Sequence, residues 1–294
     1  MTQLYLNGRF MPPEQATLSV MDRGFLFADG VYEVIPVYGG VPRRASEHLR
    51  RLASSLHGIG LPPPLTDAKW SAVFQRLLES TALAESNSAS AVDQTIYVQV
   101  TRGAAPTRDH RFPKQVEPTV LAMVNRLKPR ASSLAEQGVA AVLRDDFRWG
   151  RCDIKSVALL AAVLLRQDAH ESAAEEAILV RDGLVVEGST SNLFIVSQGR
   201  LITPPASRFL LSGITRALTL ELARQDGIDC AESDVSVDTL RAADEIWLTS
   251  STREVMPVTR LDGACVGAGV PGPLWRRVDA RYQDYKTQLR ERRV

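Results

Sequence analysis

Glycine-marked two-residue turns set between apolar runs constrain this chain more than any other feature. "AILVRDGLVVEG" turns at Asp182-Gly183, "NLFIVSQGRLITP" at Gln198-Gly199, and "LYLNGRF" places Asn7-Gly8 between apolar residues near the start. Turns of this kind match the twist of two antiparallel strands, so each stretch predicts a hairpin. Further strands are predicted at "GVYEVIPVYGGV", "TIYVQVTRG", "TVLAMVNRL", "VAAVLRD" and "EIWLTS".

Helical signals alternate with them. "SEHLRRLASSLHGIG" offers Ser46 as a cap, Leu49, Leu52 and Leu56 at helical spacing, and Gly58 as a stop. Other helices are predicted around Trp70 to Glu79, directly after Lys155, near Ile214 to Asp226, near Val237 to Ala243, and from about Pro271. The pattern breaks at Pro129 and a polar cluster in "KPRASSLAEQG". The reading is a mixed α+β chain of two domains, 1–126 and 134–294, joined by a linker at 127–133, with a cleft between domains as the natural ligand site. "ESNSASAV" reads as an exposed loop.

Composition narrows the partners. The chain has 294 residues, 45% hydrophobic and 23% charged, enough for a real core, and its formal net charge of +1 supplies no field for nucleic acid or an anionic membrane. Small molecules are favoured. "MTQLYLNGRF" is too polar for a signal peptide and the run Val157 to Leu165 is too short to span a bilayer, so a cytoplasmic location is expected. Cys152, Cys230 and Cys265 are far apart with no CxxC spacing and read as reduced thiols. His48, His57 and His170 lack metal-ligand companions, so no metal is expected. "GAGVPG" at 267–272 fits G-x-G-x-x-G, but no βαβ unit can follow it before the chain ends.

"RCDIKSVALLAAVLL" sets Lys155 before an aliphatic run. At the start of a helix and beside apolar surroundings a lysine is pushed toward its neutral form, the nucleophile needed for a Schiff base to an aldehyde. The alternative is a lysine whose stem packs on the core while its ammonium reaches water or pairs with Asp153. A pyridoxal site would also need a carboxylate for the pyridine nitrogen and a cup of amides and hydroxyls for the phosphate. "VVEGSTSN" puts Glu187 before small residues and hydroxyls, "SGITR" puts Gly213, Ile214 and Thr215 at a helix N-terminus, and "TSST" from Thr249 adds a hydroxyl-rich turn.

The order of "DRGFLFADGVYEV", "EHLRRL", "TRGAAPTRDHRFP", "RWGRCDIKS", "EGSTSN", "LLSGITR" and "TSSTRE" resembles the fold-type IV pyridoxal phosphate enzymes over nearly the whole chain. Within that family the likeness is greatest to the D-amino acid aminotransferase (D-alanine transaminase) subgroup. The resemblance implies a small α/β N-terminal domain and a larger pseudo-barrel C-terminal domain. It also implies pyridoxal 5'-phosphate on Lys155, which moves the substrate proton, with Glu187 at the pyridine nitrogen and Arg51, Ile214, Thr215 and Ser251 at the phosphate. Arg108 and His110 of "PTRDHRF", with Tyr32 of "GVYEV", would trap the substrate carboxylate, and Val34 would lie near the substrate. A planar guanidinium can grip a carboxylate by two parallel hydrogen bonds, and an i, i+2 spacing aims both side chains to one side of an extended segment. The alternative for this pair is an exposed polar loop.

In the family the trap reaches across from a partner subunit, implying a homodimer. The implied reaction moves an amino group from a D-amino acid to a 2-oxo acid. An L-branched-chain aminotransferase and an aminodeoxychorismate lyase are the rival activities on this fold. Ala158 in place of asparagine, Ser251 in place of threonine, and an inserted loop at Asn87 to Ala91 depart from the subgroup and bear on side-chain preference.

Overall fold

The structure is a computed structural model that describes residues 3–84 and 92–292. The chain divides into two units. The first takes the residues up to Lys128, the short segment Ile154–Ala158 and the end from Leu289; the second takes Pro129–Asp153 and Leu159–Gln288.

In the first unit, β1 (Leu4–Leu6) and β2 (Arg9–Met11) close on Asn7-Gly8, whose φ values of 47° and 86° are those of a tight hairpin turn. There follow α1 (Arg23–Phe27), β3 (Gly30–Tyr38), β4 (Val41–Pro42), α2 (Ala45–Gly58), α3 (Asp67–Ala84), β5 (Gln94–Thr101) and β6 (Thr119–Arg126). The strands form an antiparallel sheet in the order β2-β1-β6-β5-β3-β4. Strand residues of one parity, Val31, Ile35 and Val37, pack against Leu49, Leu52 and Leu56 of α2 and Trp70, Phe74 and Leu77 of α3. Each such side chain, fully buried, contributes about 1.5–3 kcal/mol.

The start of α2 differs from expectation. Its N-cap is Arg44 in the left-handed region (φ 50°), and Ser46 lies inside the first turn with its hydroxyl on the Glu47 carboxylate at 2.8 Å. That hydroxyl does no capping. The segment expected as an inserted loop, Asn87 to Ala91, lies outside the described residues.

The second unit runs α4 (Leu134–Gln137), β7 (Val139–Asp145), α5 (Leu160–Glu171), β8 (Glu176–Arg181), β9 (Leu184–Gly188), β10 (Asn192–Ser197), β11 (Arg200–Thr203), α6 (Ile214–Gln225), β12 (Cys230–Glu232), β13 (Val235–Ser236), α7 (Val237–Arg241), β14 (Glu245–Ser250), β15 (Glu254–Leu261), β16 (Ala264–Cys265) and α8 (Pro273–Arg290). Its sheet has the order β12-β11-β10-β14-β15-β7-β8-β9-β13, with β16 on β15. Strand β7 lies parallel to both β15 and β8, and β11 is parallel to β12; the hairpins β8–β9 and β10–β11 are antiparallel. Asp182 and Gln198 open their turns in the left-handed region, each followed by glycine.

The unbroken apolar run in β10 has a packing reason. Leu193 and Ile195 enter a core with Ile178, Ile246, Leu248 and Met256, while Phe194 and Val196 face Trp247, Leu218 of α6, and Trp275 and Val278 of α8. Both faces of the strand are covered. The aliphatic run behind Lys155 is different: α5 buries Ala162, Leu165 and Ala169 but leaves Leu160, Val163 and Leu164 at 72%, 59% and 53% exposure. Among the described residues no helix is long and apolar enough to cross a membrane.

Candidate active site

Lys155 is not at a helix N-terminus. The cap of α5 is Leu159, because the intervening residues are committed to strand β3: Tyr32 N–H donates to the Lys155 carbonyl at 3.0 Å, Val157 N–H to Gly30 at 3.0 Å, and Ser156 bridges Val31. The Lys155 amide donates to Ser55 Oγ at 3.1 Å, and Nζ lies 4.3 Å from the centroid of the Tyr32 ring. The neighbouring carboxylate, Asp153, is gripped by Arg151 Nε and Nη2, each at 2.9 Å. By contrast Lys286, the buried lysine of α8, is ion-paired with Glu254.

Strand register collects more of the expected residues. Tyr32 and Val34 are of one parity in β3, opposite Gln99 and Tyr97 of β5. Tyr97 stacks on Tyr32 at 5.9 Å and donates to Gln99 at 2.7 Å, and burial, then Tyr32, pushes its phenol up to about 12. The intervening Glu33 belongs to the other parity and is 1% exposed. Arg51 grips it from α2 with Nε–Oε1 and Nη2–Oε2 at 2.7 and 2.8 Å, and His48 Nδ1 lies 2.8 Å from Oε2. Burial raises the Glu33 carboxyl, but Arg51 and His48 outweigh it and hold it at about 2. Burial lowers His48 to about 4, against the pull of Glu33, so at neutral pH the ring is neutral and donates from Nδ1. Sequence reasoning did not foresee that the guanidinium expected at a phosphate is oriented by a carboxylate.

Arg108 and His110 are exposed, on the segment between β5 and β6. Both lean on Phe27: the Arg108 guanidinium carbon is 4.9 Å and the His110 ring 5.0 Å from that ring's centroid.

In the second unit Glu187, near the end of β9, is buried. Its Oε1 accepts from Arg148 at 2.7 Å, and its Oε2 accepts from Asn192 Nδ2 at 3.0 Å and from the Leu211 amide at 3.1 Å. Arg148 is shared, giving Nε and Nη2 to Asp146 at 2.9 and 3.1 Å, and Arg181 adds a further contact to Asp146 at 3.0 Å. Burial raises Asp146, yet Arg148 and Arg181 hold its carboxyl below the usual range. At Glu187 burial wins over Arg148 and the Leu211 amide, leaving the carboxyl at about 7. Burial lowers Arg148, but Asp146 and Glu187 more than offset this and keep it charged.

The hydroxyls after Glu187 serve a purpose other than the expected phosphate cup. Ser189, Thr190 and Ser191 all donate to buried Glu176, which Arg253 also contacts. A buried carboxylate needs such donors, and these hydroxyls serve it. The helix terminus is as expected: α6 begins at Ile214 after Gly213, which supplies no side-chain cap. A Cβ on Gly213 would lie 1.8 Å from Asn192 Oδ1, so only glycine fits beside the residue that also holds Glu187. Thr215 is buried, and Ser251 is half-buried in the turn after β14. Thr249 Oγ1, paired in register with Asn192, is buried and has no hydrogen-bond partner among the described residues.

Each unit carries groups of the kind a phosphorylated pyridine aldehyde needs: the first the Lys155 amine, the second a buried carboxyl poised near neutrality, a helix terminus without a side-chain cap and the Thr249 hydroxyl. Arg148 and Asn192 were missed from sequence, although both stand inside motifs that were read. The missing signal is non-local: nothing in "RWGRCDIKS" tells which carboxylate the first arginine meets.

Residues 30–261 match the family model for amino-transferase class IV. The chain is 39% identical over 283 residues to a D-alanine aminotransferase from Bacillus licheniformis, covering 96% of each, and 38% identical over 286 residues to one from Staphylococcus epidermidis, covering 97% of this chain and 98% of the relative. Among solved structures it resembles the branched-chain amino acid aminotransferase of Escherichia coli, with TM-score 0.85 at 24% identity over 96% of this chain and 93% of the other, which speaks for the fold. These likenesses establish that the chain belongs to the class IV aminotransferases.

Proposed function

We propose that this protein exchanges amino groups between D-amino acids and 2-oxo acids, with D-alanine and 2-oxoglutarate as the type pair. The observation that carries the substrate class is the nearly full-length likeness to relatives named D-alanine aminotransferase. Pyridoxal 5'-phosphate supplies the carbonyl that receives the amino group and the ring that takes up the electron pair released at the substrate Cα. Lys155 Nζ would hold it covalently and, once displaced, would carry the proton from the substrate Cα to the carbonyl-derived carbon of the cofactor, and in the opposite direction when the second amino acid is built. Glu187 pairs with the pyridine nitrogen; its carboxyl at about 7 lets it hold or give up a proton near neutrality.

Arg51, oriented by Glu33, binds the phosphate with the amides of Ile214 and Thr215 and the hydroxyl of Ser251. Tyr32, Arg108 and His110 hold the substrate carboxylate, and Val34 shapes the side-chain pocket. Because Arg108 and His110 are exposed, they are free to serve a second copy, and the bare Leu160, Val163 and Leu164 face of α5 suits contact between copies of a homodimer. The cytoplasm suits such an enzyme, whose cysteines are all free thiols.

A paired assay tests the reading. With 2-oxoglutarate as acceptor, D-alanine should be converted to its 2-oxo acid and L-leucine should not. Turnover of the L donor alone would overturn it.

A further inference from the structure

The segment carrying Arg108 and His110 is exposed, yet its backbone is held from beneath by buried charge. Arg23, 4% exposed, gives Nη1 to the Asp109 carbonyl at 2.5 Å and Nη2 to the His110 carbonyl at 3.2 Å. Its Nε donates to Asp29 at 2.8 Å, and the same carboxylate accepts Nε and Nη2 of Arg102 at 2.8 and 3.1 Å. Arg102 in turn binds the carbonyls of Ile59 and Gly60 and covers the Phe112 ring at 3.7 Å.

The stem is fixed as firmly. Asp22 accepts from Thr101 and Thr119 at either end of the segment, Arg23 N–H donates to Gly103, and a Cβ on Gly103 would lie 1.9 Å from the Glu117 carbonyl. The ring on which Arg108 and His110 lean, Phe27, also receives the Arg23 guanidinium at 4.8 Å. One arginine thus touches the backbone of the trap and the platform beneath its side chains. A carbonyl pair held by a single planar fork has little freedom to swing.

We propose that Arg23 and Asp29 are positioning residues for the substrate carboxylate: Asp29 orients Arg23, and Arg23 fixes carbonyls 109 and 110 so that Arg108 and His110 keep their aim. This rests on the reading of Arg108 and His110 as the carboxylate trap. Removing the fork should leave cofactor loading intact and loosen recognition of the carboxylate alone, since misplacing a binding group by an ångström costs heavily.

The test compares D-alanine with D-alaninamide, which lacks the carboxylate, on the cofactor-loaded enzyme. In Arg23→Met and Asp29→Asn, kcat/KM for D-alanine should fall about 10–100-fold, mainly through KM, while that for D-alaninamide changes less than about twofold. Arg23→Lys should recover part of the loss, and it decides the matter on the same ratio if Arg23→Met does not fold. Equal losses for both donors, or no loss, overturn the proposal. Arg108→Met separates the two readings: if it erodes the preference for D-alanine while the Arg23 and Asp29 variants do not, the trap stands and its positioning by Arg23 fails. If Arg108→Met also leaves the preference intact, the trap reading itself fails and takes the proposal with it.

Discussion

Glu33 and Glu187 are both buried carboxylates facing a guanidinium, one in each unit, and they are driven in opposite directions. Burial pushes both up; Glu33 ends at about 2 and Glu187 at about 7. The difference lies in how the guanidinium is divided. Arg51 turns a two-pronged fork on Glu33, and His48 adds a third contact. Arg148 gives Glu187 one prong and Asp146 two, and the Asp146 charge itself raises Glu187. A carboxylate's acidity in a dry site is set by its share of the cation, beyond the mere presence of one. The same chemistry thus makes a permanent anchor in one place and a group poised to exchange a proton in the other.

Three variants would break or sharpen that contrast. Glu33→Gln leaves Arg51 largely buried without its counter-charge and should destabilise the protein by about 3–5 kcal/mol in urea unfolding, with weakened retention of the cofactor. No change in stability would mean that the fork on Glu33 is dispensable.

Glu187→Gln should lower kcat about 10²–10³-fold with the cofactor still bound, the scale on which a lost electrostatic partner is felt. The variant also has a signature in pH. Because the Glu187 carboxyl is raised from 4.5 to about 7, its contribution to stability is fully present below 4.5 and is lost as pH rises through about 7. Glu33, lowered from 4.5 to about 2, contributes above 4.5 and loses that contribution as pH falls through about 2. His48, lowered from 6.5 to about 4, contributes above 6.5 and loses it as pH falls through about 4, which opposes Glu187 in the overlapping window. In melting curves of cofactor-free protein, Glu187→Gln should therefore make stability rise more steeply between pH 4.5 and 7 than in the parent. An unchanged slope would contradict the raised carboxyl.

Asp146→Asn should have the smallest effect on kcat, although the loss of a buried counter-charge costs stability here as at Glu33. It frees Arg148 for Glu187, and the Glu187 titration followed by infrared absorption should move down by about one unit, worth about 1.4 kcal/mol. An upward move would show that sharing of Arg148 is not the cause.

Much of this was legible in local sequence. Asn7-Gly8, Asp182-Gly183 and Gln198-Gly199 announced their hairpins because a turn's φ values depend on the residues within it. Lys155 was picked out because a lysine directly before an aliphatic run is unusual, and Glu187, Gly213 and Ile214 because a pyridoxal site needs a carboxylate and a helix terminus and because the order of their motifs resembles the family's. What failed was everything decided by distant partners. Lys155 was expected at a helix start, yet Ile154–Ala158 returns to the first unit and pairs with β3. The hydroxyls of Ser189, Thr190 and Ser191 were only one of several candidates for a phosphate cup, and they are taken by Glu176. Ser46 was expected to cap α2, but the N-cap position is held by Arg44, which makes no side-chain cap bond. The aliphatic run of α5 was expected to surround Lys155 with apolar residues, and Leu160, Val163 and Leu164 are bare.

The account turns on the amine of Lys155. Borohydride reduction of the cofactor-loaded protein followed by peptide mass mapping should fix the cofactor on the peptide carrying Lys155, and Lys155→Ala should lose both the adduct and the visible absorption. An adduct on Lys286 or any other lysine, or full absorption in Lys155→Ala, would contradict it.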